Sequence, residues 1–146
     1  MASPFDIIES TGILPVIKIE EPETAVELAA AIRAGGINAI EVTVRNDSAL
    51  ESLARIKAAF PDMMAGAGTV TNVGMVKAAR AAGADFIVSP GFGKEMVEYC
   101  LTDGIPVTPG CATPSEIQAA QELGLRVVKL FPANRCGGGG AIKDLS

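Results

Sequence analysis

The chain has 146 residues, 49% of them hydrophobic and 20% charged, with a formal net charge of −5. This composition suits one globular α/β domain, which we predict to span residues 1–146. No basic stripe with interleaved aromatic residues is present, so no nucleic-acid partner is expected. The first residues lack a leader pattern, and no apolar run approaches the roughly 18 residues of a membrane span, which predicts a cytoplasmic protein without a membrane partner.

Cysteine and histidine content limits the chemistry. Cys100, Cys111 and Cys136 contain no C-x-x-C pair, and the chain has no histidine to complete a zinc site. We therefore predict free thiols. Because histidine is absent, Ser/His and Cys/His nucleophiles are excluded, and a general base must be a carboxylate, a lysine or a tyrosine.

Short apolar runs alternate with helical patterns along the chain. Strands are predicted at 13–19, 39–45, 63–70, 86–89, 105–108 and 126–132. Helices are predicted at 6–10, 22–34, 48–60, 73–82, 94–101 and 114–123, and residues 141–146 look like the opening turns of another. Asp47 or Ser48 is a candidate N-cap, and Thr113 with Glu116 forms a predicted capping box. Strands recurring every 20 to 26 residues, about the length of one βα unit, predict a parallel sheet with right-handed crossovers.

Two architectures fit this repeat: a (β/α)8 barrel and an open doubly wound sheet. A barrel needs eight units and usually at least about 200 residues. Six predicted strands therefore indicate either an open sheet or a shortened barrel. The glycine tract at 137–140 is predicted to be a loop.

The sixth predicted strand carries a lysine inside an apolar run, Arg126-Val127-Val128-Lys129-Leu130-Phe131-Pro132. Burial removes water from an ammonium and favours the neutral, nucleophilic amine that a Schiff-base lysine requires. The alternative is that Lys129 extends its amine into water over an apolar stem.

The second strand, Ile40-Glu41-Val42-Thr43-Val44-Arg45, alternates aliphatic and polar residues. Glu41, Thr43 and Arg45 therefore share one face, which in a barrel is the interior. Because buried charges are unfavourable unless paired or used, Glu41 is a candidate acid–base residue. The alternatives are an exposed polar face on an edge strand and a structural Glu41–Arg45 ion pair. If the polar faces of both strands border one cavity, Lys129 and Glu41 meet there.

Three further strand ends contain small residues or turns. Ala65-Gly66-Ala67-Gly68-Thr69 leaves room for a ligand, but it lacks the third glycine of a dinucleotide fingerprint, so a Rossmann site is rejected. Ser89-Pro90-Gly91 and Thr108-Pro109-Gly110 bring backbone close to a small molecule, or are simple turns between strand and helix.

Five segments in register, 40–45, 66–70, 89–91, 109–110 and 128–133, resemble the 2-keto-3-deoxy-6-phosphogluconate (KDPG) and 4-hydroxy-2-oxoglutarate (KHG) aldolases. The resemblance runs from about residue 7 to the last residue. It implies a class I aldolase of the (β/α)8 TIM-barrel family, without metal or cofactor and commonly a homotrimer. The implied reaction splits a 2-keto-3-deoxy sugar acid phosphate into pyruvate and glyceraldehyde 3-phosphate; KHG cleavage to pyruvate and glyoxylate is a second one.

The resemblance also implies roles for individual residues. Lys129 is the Schiff-base lysine and Glu41 the proton shuttle. The residues that line the pyruvate end or lie beside the lysine are Arg45, Thr69, Pro90 and Phe131. Lys18, at the end of the first strand, is expected near the substrate carboxylate.

The family continues with a seventh and an eighth strand that bind the substrate phosphate, whereas this chain has six predicted strands. We therefore expect a truncated barrel, strands 1 to 6, with weak or no activity in isolation. The alternatives are a ligand-binding or assembly module without turnover, oxaloacetate decarboxylation, and a related pyruvate aldolase with a galacto-configured or unphosphorylated substrate.

Overall fold

A computed structural model describes residues 4–145, in which strands alternate with helices. The strands are β1 (Val16–Ile17), β2 (Ala39–Thr43), β3 (Met64–Gly68), β4 (Phe86–Val88), β5 (Val107–Thr108), β6 (Gly110–Cys111) and β7 (Lys129–Leu130). The helices are α1 (Pro4–Thr11), α2 (Ala25–Ala34), α3 (Ser48–Ala59), α4 (Val73–Ala81), α5 (Lys94–Thr102), α6 (Pro114–Glu122) and α7 (Gly138–Leu145). Short 3-10 turns at Pro22–Thr24 and Ala133–Arg135 precede α2 and α7. The predictions of a domain over 1–146 and of a start without a leader rest partly on residues outside the described range.

The strands follow one another in space as they do in sequence. β1 to β5 form a parallel sheet in chain order, and β6 pairs in parallel with β7. Hydrogen bonds join the two sheets, since Gly110 N donates to Ser89 O and Lys129 N donates to Pro109 O. β5 lies within the fifth predicted strand, and β6 continues it beyond the predicted end, after an interruption at Pro109, which has no N–H for the ladder. Because a doubly wound sheet reverses its strand order, this monotonic order identifies the barrel architecture.

Helices cover the outer face of the sheet. Ile40 and Val42 of β2 are fully buried in the same core as Leu53 and Ile56 of α3. Each such aliphatic side chain stabilises the fold by about 1.5–3 kcal/mol when it leaves water. The alternating pattern of β2 therefore fixes which strand face meets the helices and which faces the barrel interior.

Helix ends largely follow the predicted signals. α2 and α4 end before Gly36 and Gly83, whose φ angles of 86° and 94° lie in the left-handed region that glycine tolerates. The predicted capping box of α6 is present, because Thr113 and Glu116 exchange side-chain and backbone hydrogen bonds.

The cysteines are free thiols. Between residues 4 and 145, no helix combines the length and the hydropathy needed to cross a membrane.

Two local predictions were wrong, and a third, the N-cap of α3, was right in position but without the expected side-chain bond. The first and sixth strands pair over two residues each instead of seven, because each borders a single partner strand among the described residues. The glycine tract is not only a loop: α7 begins at Gly138, in a first turn whose N–H groups need no helical partner. At α3 the N-cap position is Asp47, but its side chain makes no capping bond, and Ser48 Oγ donates to Ile19 O instead.

Candidate active site

Side chains on the inner sheet face form a chamber. In register, Val16 pairs with Glu41, Glu41 with Gly66, and Gly66 with Phe86, so these residues lie at one level of the interior. Glu41 is only 2% exposed and Phe86 is fully buried. The polar face predicted for β2 is therefore an interior face and not the exposed face of an edge strand.

Lys129 and Glu41 meet in this chamber although 88 positions separate them. Lys129 Nζ donates to Glu41 Oε1 at 3.3 Å. The lysine side chain is 28% exposed, which leaves its amine reachable from solvent. Its Nζ also lies 5.2 Å from the centroid of the Phe131 ring, a distance at which cation–π attraction acts. A nucleophile and a proton acceptor are thus paired in one partly enclosed space.

Burial raises the pKa of Glu41 above its ordinary value of 4.5. The positive charges of Lys129 and Arg45 and the hydrogen bond from Lys129 oppose the effect of burial but do not cancel it. A carboxyl group with a raised pKa exchanges protons more readily near neutral pH than an ordinary glutamate does.

The sixth strand is less buried than predicted. Lys129 and Leu130 are both half-buried, and the flanking Val127 and Phe131 are 42% and 37% exposed. The reason is that β7 has a neighbour on one side only among the described residues. The alternative that Lys129 extends freely into water does not hold either, because its amine points to the Glu41 carboxyl.

Two glycines of β3 create the space that these side chains occupy. A Cβ atom on Gly66 would lie 2.1 Å from the Phe86 ring, and a Cβ atom on Gly68 would lie 2.1 Å from Glu41 Oε1. The small residues were expected to leave room for a ligand. The room is filled instead by the Phe86 ring and by the carboxyl group itself.

Arg45 and Thr69 meet beyond the carboxyl ends of β2 and β3. Arg45 Nε donates to Thr69 Oγ1 at 3.2 Å, and Arg45 is exposed. The structural Glu41–Arg45 ion pair considered above is not formed, since Glu41 pairs with Lys129. Thr69 has a φ of 62°, which is unusual for a β-branched residue and is typical of strained backbone near functional sites.

Pro90 and Lys18 occupy different surroundings. The Pro90 carbonyl packs on Gly110, where a Cβ atom would lie 2.3 Å from its oxygen, and Ser89 Oγ donates to Gly91 O. Lys18 is 48% exposed in its side chain and forms an ion pair with Glu20 at 2.5 Å. The geometry therefore brings Lys129, Glu41 and Phe131 together, with Arg45 and Thr69 paired nearby, and leaves Lys18 in a separate ion pair.

Sequence reasoning missed Phe86. The run Phe86-Ile87-Val88 was read as an apolar strand without a distinction between its faces. The signal was the aromatic Phe86 opposite Gly66 of the neighbouring strand β3. Such a pair of a large and a small residue fills space across a sheet. The Phe86 ring fills the space over Gly66, at the same level of the interior as Glu41.

A cavity of about 650 Å³ lies on the opposite face of the sheet. Its lining includes Val128 and Leu130, which alternate with Lys129 along β7, and residues of α6 and α7. It is therefore separate from the chamber that holds Lys129 and Glu41. Residues 4–145 include no cluster of three or more His, Cys, Asp or Glu side chains that could hold a metal ion.

Two curated proteins that are similar to this chain are aldolases by name. A 2-dehydro-3-deoxy-phosphogluconate aldolase of Treponema pallidum is 45% identical over 138 residues, which are 94% of this chain and 66% of that protein. A KHG/KDPG aldolase of Escherichia coli K12 is 34% identical over 140 residues, 96% of this chain and 66% of that protein. This chain thus spans just under two thirds of the length of these curated relatives.

Solved structures agree. The KDPG aldolase of Legionella pneumophila, with pyruvate captured at low pH as a covalent carbinolamine intermediate, has a TM-score of 0.94 and 38% identity, over 99% of this chain and 70% of that one. The expected (β/α)8-barrel fold class is confirmed, with six of its strands within the described residues. Residues 5–146 match the family described as KDPG and KHG aldolase, and the chain belongs to that family.

Proposed function

We propose that this protein is a class I aldolase that cleaves 2-dehydro-3-deoxy-6-phosphogluconate to pyruvate and glyceraldehyde 3-phosphate. The observation that carries the proposal is the 3.3 Å approach of Lys129 Nζ to the buried Glu41 carboxyl. The name of the Treponema relative and the captured pyruvate of the Legionella protein support the same chemistry.

Imine formation begins with the paired groups. Lys129 transfers a proton toward Glu41 Oε1 and, as a neutral amine, adds to the C2 ketone of the substrate. Glu41 returns this proton to the C2 hydroxyl of the adduct, whose loss as water gives a protonated imine and leaves Glu41 as a carboxylate. The imine withdraws electrons from the adjacent carbon. The Phe131 ring beside Nζ favours the cationic imine because its π face attracts positive charge.

Carbon–carbon cleavage uses the same carboxylate. The C4 hydroxyl gives its proton to Glu41 through a water, the C3–C4 bond breaks, and its electron pair forms the enamine as the aldehyde leaves. Glu41 then returns a proton to C3, and hydrolysis releases pyruvate and the free amine. The raised pKa of Glu41 suits a group that must accept and return a proton in one cycle.

Substrate contacts are assigned to the charged and polar groups at the strand ends. Arg45 holds the substrate carboxylate by charge-assisted hydrogen bonds, with Thr69 as its hydroxyl partner. Pro90 and Phe131 line the pyruvate end, and Lys18 contributes positive charge at the first strand. Since Lys18 is engaged with Glu20, its part requires that this exposed ion pair opens, which costs little.

Borohydride trapping tests the proposal. Reduction in the presence of pyruvate should add a stable mass to Lys129, which peptide mass spectrometry locates. Lys57→Arg is the matched control, because Lys57 is also partly buried and ion-paired, with Asp85, but lies outside the chamber. Lys129→Arg should abolish the label and Lys57→Arg should retain it. Labelling at another lysine, or none with wild-type protein, rejects the proposal and leaves a binding or assembly module.

Cleavage of 4-hydroxy-2-oxoglutarate to pyruvate and glyoxylate is a second candidate. The observation in its favour is the Escherichia coli relative, whose name includes both substrates. The imine and the proton transfers are the same, because both substrates have a ketone at C2 and a hydroxyl at C4. Coupled assays for the two aldehyde products distinguish them.

We also propose that the protein works as a homotrimer in the cytoplasm. Ile13 and Leu101 expose large apolar side chains, which contact between copies would bury. A cytoplasmic location agrees with a charged sugar acid phosphate, which does not cross a bilayer unaided. Native mass spectrometry tests the assembly, and a monomer mass at micromolar concentration would contradict it.

A further inference from the structure

Three glycines on the inner face of the sheet differ in what a side chain would meet. A Cβ atom on Gly66 would strike the Phe86 ring, and one on Gly110 would strike the Pro90 backbone at 2.3 Å. The three atoms nearest to a Cβ atom on Gly68 would all belong to Glu41, with Oε1 at 2.1 Å and Cδ and Cγ both at 2.8 Å. Of these three glycines, Gly68 is the one whose missing side chain makes room for an ionisable group, the Glu41 carboxyl.

The carboxyl group is therefore located by two contacts. Oε1 rests over Gly68 on one side and accepts the hydrogen bond from Lys129 Nζ at 3.3 Å on the other. Gly68 is also in register with Thr43 of β2, two residues after Glu41, so the glutamate side chain extends along the sheet to reach it. A methyl group at position 68 would lie 2.1 Å from the present position of Oε1, so the carboxyl group would have to move.

We propose that Gly68 is a positioning residue that holds the Glu41 carboxylate where it transfers protons with the imine on Lys129. The inference rests on the proposed function and adds a determinant of its rate. Gly68 itself carries no group that exchanges a proton or binds the substrate. Its contribution is the absence of a side chain, which lets the carboxylate lie across β3 within reach of the amine.

Substitution by alanine is a clean perturbation. Gly68 has no left-handed φ, so alanine meets no backbone penalty there. The atoms in its way belong to one flexible side chain, so Glu41 yields and the backbone does not. The expected consequence is a displaced carboxylate in a folded protein that retains Lys129.

The test separates imine formation from proton transfer. With pyruvate alone, Lys129 forms the imine, and Glu41 removes a C3 proton as the C3 electron pair enters the enamine; the reverse step in D₂O adds deuterium. Borohydride trapping reports the imine, and loss of the methyl proton signal reports exchange. In Gly68→Ala we expect trapping at its end point to persist, because the 28% exposed Lys129 side chain can also lose its proton to water, and exchange to fall by about 10²-fold, the usual contribution of one positioned acid–base group.

A double-mutant cycle with Glu41→Ala identifies the cause. Alanine ends at Cβ and lacks Cγ, Cδ and Oε1, the three Glu41 atoms nearest to position 68, so E41A/G68A should exchange no more slowly than E41A alone. Gly93→Ala is the control, because its Cβ atom would meet only Met96 Cβ at 4.0 Å, and any decrease in exchange that it causes should simply multiply with that of E41A. Should Gly68→Ala fail to fold, the comparison of E41A/G68A with E41A still decides.

Each result has one meaning. Exchange at the wild-type rate in Gly68→Ala, or losses that multiply in E41A/G68A, would overturn the positioning role while leaving the aldolase proposal intact. Absence of both trapping and exchange in the wild-type protein would overturn the aldolase proposal, and the positioning role with it.

Discussion

At the scale of single residues, the central feature is a carboxyl group that is buried next to an amine. Glu41 is nearly inaccessible, and Lys129 is its hydrogen-bond donor. Burial of a carboxyl group favours its neutral form, whereas a neighbouring cation favours its ionised form. Burial has the larger effect at Glu41, since its pKa is raised in spite of the positive charges of Lys129 and Arg45. The Glu41 carboxyl group therefore stabilises the folded protein less when it is ionised than when it is protonated.

This balance predicts how stability depends on pH. A carboxyl with a raised pKa contributes stability that is fully present below its ordinary value of 4.5 and is lost as pH rises through the raised pKa. Relative to Glu41→Gln, which does not titrate, wild-type protein should therefore lose free energy of unfolding between pH 4 and the raised pKa, and then level off. Urea unfolding at a series of pH values, about one unit apart, measures this difference.

Glu116 gives a control of opposite sign. Hydrogen bonds from the Ala112 amide and from Thr113 lower its pKa. The stability that Glu116 contributes is therefore present above its ordinary value of 4.5 and is lost as pH falls through the lowered pKa. On acidification, the advantage in free energy of unfolding that wild-type protein has over Glu116→Gln should shrink. The free energy of unfolding of wild-type protein relative to Glu41→Gln should instead rise. The same slope for both pairs would contradict this account of Glu41.

At the scale of elements, α6 shows how a local motif fixes the chain next to the chamber. Glu116 Oε2 accepts hydrogen bonds from the Ala112 and Thr113 amides, at 2.8 and 2.9 Å. These amides directly follow β6, which pairs Gly110 with Lys129. The capping box thus joins the start of α6 to β6, the strand that pairs with the lysine-bearing strand β7.

Removal of the cap should destabilise the fold without removing a chamber residue. Thr113→Ala deletes the hydroxyl that accepts from Glu116 N and should lower the free energy of unfolding by about 1 kcal/mol. Ser115→Ala, in the first turn of the same helix and exposed, is the matched control and should change stability little. Chemical denaturation compares them, and equal stability of the two variants would show that the box does not contribute.

At the scale of the whole molecule, the sheet is strongest at its centre. β2 and β3 pair over five residues, whereas β1 and β7 each pair over two. β2, β3 and β4 are buried on both faces, apart from the first residue of β3, which is half-buried. Opening of a strand costs more free energy when more hydrogen bonds and buried surface must be given up together.

Hydrogen exchange should therefore be graded across the sheet. Backbone amides of β2 and β3 should exchange slowest, and those of β1 and β7 several-fold faster or more, because edge strands open locally. Exchange measured by mass spectrometry on peptides from 39–43, 64–68 and 129–130 tests this gradient. Uniform protection across all strands would mean that the molecule opens only as one cooperative unit.

The sequence by itself determined the order and type of the elements, because hydrophobic periodicity, glycine stops and the α6 capping box act over a few neighbouring residues. It also indicated that Glu41 faces inward, since period-two alternation places Ile40 and Val42 on the other side. Only the tertiary structure decided that Lys129 reaches Glu41, that the Phe86 ring fills space across the sheet and that Gly68 leaves space for the carboxyl group. The physical reason is that register and curvature of the sheet bring together residues as distant as 41 and 129, and no local pattern encodes that distance.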